Sequence, residues 1–154
     1  MKIGVISDTH GLVRPEVYDV FEGVDLILHA GDIGSRDVII ELEAIAPVKA
    51  VAGNNDFDLF GIFDEKLTYE IGNRKIHLQH IVNGMPEDDQ CDENNISEII
   101  VFGHSHRPTK KQIKATLYFN PGSAGPKRFN LPVTAGLLTL DDQSVKGEIV
   151  RLTS

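Results

Sequence analysis

Asp8-Thr9-His10, Gly31-Asp32, Gly53-Asn54-Asn55-Asp56, His80 and Gly103-His104-Ser105-His106 are the stretches whose residue types and spacing point to chemistry. Carboxylate, amide and imidazole groups are donors for a divalent metal held by nitrogen and oxygen. Cys91 is the only cysteine, so one chain can form neither an internal disulfide nor a thiolate cluster. So many histidines suit Mn, Fe, Co, Ni or Zn better than an all-oxygen Mg or Ca cage. A pair of ions about 3.5–4 Å apart needs a carboxylate that can bridge them, and Asp32 is the expected bridge.

Two divalent ions, offset by Asp8, Asp32 and a bridging hydroxide, leave about one positive charge at the centre. The chain as a whole has a formal net charge of −8. A phosphoryl anion is the guest such a centre favours, with the hydroxide as nucleophile toward phosphorus. Taken singly, each motif has an ordinary structural reading. Asp8 can cap a turn, Gly53-Asn54-Asn55-Asp56 is good turn chemistry, and a lone His80 fits a satisfied, partly buried histidine. What singles them out is that each one follows a short apolar run.

Those runs are Ile3 to Ile6, Leu26 to Leu28, Val48 to Ala52, Ile76 to Leu78 and Ile99 to Phe102. Their length and β-branching predict strands buried on both faces. Pro15 predicts a helix through about Val20, and Ser35 caps a second through about Ala44. Gly72-Asn73 predicts a tight hairpin between 67–71 and 75–78. Residues 110–113, 116–119, 133–140 and 145–151 read as further strands. The expectation is a parallel α/β first half and a mainly antiparallel second half in one domain, 1–154. Ligands of open α/β sheets bind beyond the carboxyl ends of the strands, where these motifs fall.

Composition narrows the class. Of 154 residues, 41% are hydrophobic and 25% charged, which fits a globular chain rather than a disordered or fibrous one. No apolar run approaches ~18 residues, and no targeting segment is recognisable, so a cytoplasmic location and no membrane partner are expected. The negative charge argues against an extended nucleic-acid partner. Five of the seven residues 87–93 are acidic and read as a solvated loop or helix start.

With these motifs in order, the chain resembles the calcineurin-like metallophosphoesterases, and among them the small single-domain YfcE-like phosphodiesterases. The resemblance runs from Lys2 to about Leu140 and includes Asn120-Pro121-Gly122-Ser123. It implies an α/β fold: a two-sheet mixed β-sandwich flanked by helices, four layers in the order α/β/β/α. It also implies that Asp8, His10 and His106 bind one metal, that Asp32 bridges, and that Asn54, His80 and His104 bind the other. Manganese comes first among the ions, then Ni, Fe, Co or Zn. Asn54, Asp56 and His104 are the expected catalytic residues, and Asn54 would touch a phosphate oxygen.

The chain departs from that family at three places, one of them the segment between His80 and Gly103, which is shorter and more acidic than the amphipathic helix usual there. Asn55 stands where a leaving-group histidine is usual, and an amide is no acid, so the role would pass to Asp56, another residue or solvent. Ile81 replaces a glycine. His29 reads as a residue behind the ligands, His77 as structural, and Arg107, Lys127 and Arg128 as solvated surface cations or, alternatively, as groups that meet the non-reacting part of the substrate. The leading expectation is a phosphodiesterase acting on a small substrate. A protein-contact scaffold of the same fold and a phosphomonoesterase are the alternatives, and homo-oligomerisation is left open.

Overall fold

A computed structural model of the protein describes residues 1–56, 59, 61–82, 95–128 and 130–152. In chain order the elements are β1 (Lys2–Ile6), α1 (Glu16–Val20), β2 (Leu26–His29), α2 (Arg36–Glu43), β3 (Val48–Ala50), β4 (Lys66–Ile71), β5 (Arg74–Gln79), β6 (Glu98–Val101), β7 (Thr109–Ile113), β8 (Thr116–Asn120), β9 (Thr134–Leu140) and β10 (Val145–Arg151). They build two mixed five-stranded sheets, ordered β10-β9-β1-β2-β3 and β4-β5-β6-β8-β7. The α/β sandwich expected from the sequence is therefore present.

Alternation along the strands produces two cores. Ile3, Val5, Leu28, Ile76, Leu78, Ile99, Val101 and Phe119 meet between the sheets. Ile6 and Ile27 point the other way, against Val17 and Phe21 of the α1 region and Val38 and Leu42 of α2. Ser35 caps α2 by accepting the Asp37 N–H at 3.2 Å, as its position predicted. Both helices belong to the first sheet. Residues 83–94, with the acidic run 87–93 that reads as a solvated loop or helix start and with Cys91, lie outside the described residues.

One expectation changes. The 74–79 strand does form the predicted hairpin with 66–71, yet β5, β6 and β8 run parallel to one another. The hairpin texture of the second half hid this, because short strands joined through intervening segments give no local sign of direction. The consequence is functional. β1, β2 and β3 are parallel in one sheet, β5, β6 and β8 in the other, so each sheet gathers its motifs at one end.

Candidate metal centre

Backbone contacts lock the two gathered ends together. Asp8 N–H donates to the Gly31 carbonyl at 3.0 Å and His10 N–H to Asp32 at 3.0 Å in the first sheet, Gly103 N–H donates to His80 at 2.9 Å in the second, and across the sheets His104 N–H donates to Asp8 Oδ2 at 3.2 Å. Close approach explains the glycines in two motifs. A Cβ on Gly103 would overlap Ser7 Oγ, and one on Gly31, at φ +102°, would stand 2.7 Å from His80 Nδ1. Asp8, His10, Asp32, His104 and His106 all have left-handed backbone, with φ between 46° and 74°. Among the described non-glycine residues only Lys114, in the β7–β8 turn, shares that conformation. Left-handed backbone disfavours L-residues by about 1–2 kcal/mol each, and such strain concentrates at functional sites.

The side chains converge. Asp8 Oδ1 lies 3.3 Å from His106 Nε2 and 3.9 Å from His80 Nε2, while Asp32 Oδ2 lies 3.3 Å from His80 Nε2 and 3.8 Å from His10 Nε2. The His80 and His104 rings are 5.2 Å apart, edge to face. Two groups of donors, Asp8-His10-His106 and Asp8-Asp32-His80, each have their ligand atoms within 4.8 Å of one another. Asp8 Oδ1, His10 Nε2 and His80 Nε2 are buried with no hydrogen-bond partner. A buried polar atom left so costs about 1–3 kcal/mol, and here the orphans lie on donors that face one another.

The donors fit divalent cations. Two donors about 2.1 Å from one ion, at right to tetrahedral angles, stand roughly 3.0–3.4 Å apart. The observed separations begin at 3.3 Å. His80 Nδ1 donates to the Ala30 carbonyl at 2.8 Å, which turns Nε2 toward the carboxylates, an arrangement common behind metal-bound histidines.

The family model for the calcineurin-like phosphoesterase superfamily domain matches residues 1–143. The chain belongs to that superfamily. A probable metallophosphoesterase of Methanothermobacter thermautotrophicus is 36% identical, over 98% of this chain and 92% of its own. A phosphodiesterase of Methanocaldococcus jannaschii is 28% identical, over 97% and 99%. The crystal structure of a Vps29 single mutant from Entamoeba histolytica superposes with a TM-score of 0.71 at 26% identity, covering 98% of this chain and 99% of that one.

Within this calcineurin-like phosphoesterase domain the remaining expected residues separate. Asn54 is exposed and shares with His80 a cavity of about 190 Å³, whose walls include Ala52, Glu65, Lys66 and Ile81. Asp56 is not a free acid. Its buried carboxylate accepts the N–H groups of Gly53 at 2.8 Å and of Ile33 and Gly34 at 3.0 Å, which ties the β3 loop to the β2 loop. Both oxygens of the expected catalytic Asp56 are thereby engaged by backbone donors. Asp32 was the one expected bridge, whereas Asp8 is the residue common to both donor groups.

Asn55 also has a role that the sequence did not suggest. Its backbone N–H and its side-chain amide both donate to Asp32, each at 3.0 Å. Burial works against the Asp32 charge, but His80 and the Asn55 donors hold the carboxyl well below its usual range. Burial likewise works against protonated His80, yet Asp32, Asp8 and the Ala30 carbonyl leave its pKa raised. His77 binds Thr68 Oγ1 at 3.0 Å and lies 3.5 Å from Glu98, outside the centre as expected.

His29 stands behind the ligands. Gly31 N–H donates to its Nδ1 at 3.1 Å, so Nε2 carries the proton and donates to Thr9 Oγ1 at 2.9 Å; that hydroxyl donates on to Ile33 at 2.8 Å. Burial pushes its pKa down to about 4. The unfolded imidazole takes a proton near pH 6.5, so the unfolded state gains it first as pH falls. Stability is full above pH 6.5 and declines toward pH 4 by about 3 kcal/mol from this residue, with His10, also lowered chiefly by burial, acting in the same direction. Urea melts in EDTA at pH 7 and 4.5 should show the decline, and His29→Gln should remove most of it. An unchanged pH slope in the variant would refute this assignment.

Proposed function

We propose that the protein is a phosphodiesterase whose centre holds two divalent cations, manganese first among them. The observation that carries this reading is the set of three orphaned donors on Asp8, His10 and His80 at the shared end of two parallel strand sets. Asp8, His10 and His106 hold one ion, with Asp32, His80, His104 and Asn54 around the other. Both carboxylates stand between imidazoles of the two groups. When bound, the ions supply a hydroxide nucleophile near neutral pH and neutralise charge on the phosphoryl oxygens. The chain's own contribution is to orient these donors, through Ala30 on His80, Asn55 on Asp32, and Ser7 and the His104 N–H on Asp8.

Family membership supports hydrolysis of phosphoester bonds, and relatives named as phosphodiesterases favour diesters. The test is turnover of bis(p-nitrophenyl) phosphate by protein stripped with EDTA and reloaded with Mn, Ni, Co or Zn. Hydrolysis restored by metal, with the diester preferred to p-nitrophenyl phosphate, is expected. A preference for the monoester would make it a phosphomonoesterase, and no turnover with any ion would favour a protein-contact scaffold. The reading also places the enzyme in the cytoplasm, where Mn-dependent activity in a cell's soluble fraction should be found.

A further inference from the structure

A second cavity, of about 150 Å³, opens on the other flank of the centre, lined by His104, Ser105, His106, Arg128 and Leu131. Two of these are the imidazoles assigned to the metals, so this space continues the reaction site. The loop after β8 brings Arg128 there. Asn120 Nδ2 donates to the Gly103 carbonyl at 3.1 Å and to Ser105 Oγ at 3.2 Å. Ser123 Oγ donates to the Asp8 carbonyl at 3.2 Å, Ala124 N–H to Ser7 at 3.0 Å, and Arg14 to the Gly125 carbonyl at 3.1 Å. The segment is thus pinned between the Asp8 loop and the histidine loop just before it reaches Arg128.

Arg128 is exposed, and among the described residues its guanidinium pairs with no carboxylate. The cavity on the Asn54 flank differs, because Glu65 and Lys66 both line it. An anionic extension of the substrate meets an acid beside a base on that side and, apart from the imidazoles, the Arg128 guanidinium alone among the lining residues described on this one.

We infer that Arg128 and the cavity beside His104 and His106 form a subsite for a second phosphate-type anion carried on the substrate. The inference rests on the phosphodiesterase reading and narrows it to diesters with one negatively charged arm. A guanidinium fork matches phosphate oxygens in pairs, which a lysine cannot do.

Two p-nitrophenyl esters of thymidine 5′-phosphate, alike except for a 3′-phosphate on one, test it with the full-length manganese-loaded protein. The wild type should favour the 3′-phosphorylated ester by about tenfold in kcat/KM, mostly through KM, as one charge-assisted contact allows. Arg128→Gln should bring the two esters within about twofold of each other, and Arg128→Lys should keep an intermediate preference. Equal rates in the wild type, or a preference that survives Arg128→Gln, would overturn the subsite while leaving the phosphodiesterase reading intact. If neither ester is cleaved, that reading fails. The subsite is then decided by titrating thymidine 3′,5′-bisphosphate against thymidine 5′-monophosphate, with the same ratios expected.

Discussion

Asp8→Asn should lower manganese-dependent kcat/KM for bis(p-nitrophenyl) phosphate by at least about a thousandfold, equivalent to about 4 kcal/mol of lost transition-state stabilisation. The metal-free protein should be no less stable. Asp8 Oδ2 accepts Ser7 Oγ at 2.7 Å and the His104 N–H at 3.2 Å, bonds that an amide oxygen keeps. The new NH₂ would take the place of the orphaned Oδ1, 3.3 Å from His106 Nε2, and give it a partner. Wild-type protein at manganese a hundredfold above Kd should gain about 2.7 kcal/mol, or roughly 5–11 °C in Tm for a chain of this size. Asp8→Asn should lose that rise, while His77→Ala, on the opposite face, keeps it. A variant that still melts higher with manganese, or retains activity within tenfold, would show that Asp8 is not shared between the ions.

This pair of readouts separates a ligand from a fold determinant because the two oxygens of the carboxylate have different surroundings. Oδ2 stitches the β1 loop to the histidine loop, and Oδ1 faces the centre without a partner. Such a division is invisible in the sequence, where Asp8 reads equally as a cap. What the sequence does carry is position: each apolar run ends where a donor begins, and strands put those ends at one edge. Two sheets then bring separate edges together, which no local pattern encodes. The parallel pairing of β5 with β6 and of β6 with β8 was hidden for that reason.

Asp56 and Asn55 show the limit more sharply. Both sit in one polar turn, and chemistry by residue type makes Asp56 the acid and Asn55 the bystander. Their partners decide otherwise. Three N–H groups from Ile33, Gly34 and Gly53 take the Asp56 carboxylate, and Asn55 clamps Asp32. The Ile33 and Gly34 donors, and Asp32 as the Asn55 acceptor, come within reach only once β2 and β3 lie side by side, so the roles belong to the pairing more than to the turn.

A steep dependence on the leaving group follows from that exchange of roles. With Asn55 spent on Asp32, Asp56 tied to the backbone and the histidines assigned to the ions in the proposed centre, no acid among the described residues of this site is left to protonate the departing oxygen. General acid catalysis is worth about a hundred- to ten-thousandfold, and its absence falls entirely on poor leaving groups. At pH 7.5, p-nitrophenyl phenyl phosphate should therefore release nitrophenolate at least about a hundred times faster than diphenyl phosphate releases phenol. Asn55→His restores a side chain able to donate a proton where the amide stood, and should narrow the ratio. It also removes the 3.0 Å amide bond to Asp32, so manganese affinity should fall by about tenfold or more. The two effects part cleanly: saturating manganese recovers the affinity loss but not the ratio. Equal rates for the two diesters in the wild type would mean that a proton reaches the leaving oxygen from another group, and would return an acid to the mechanism.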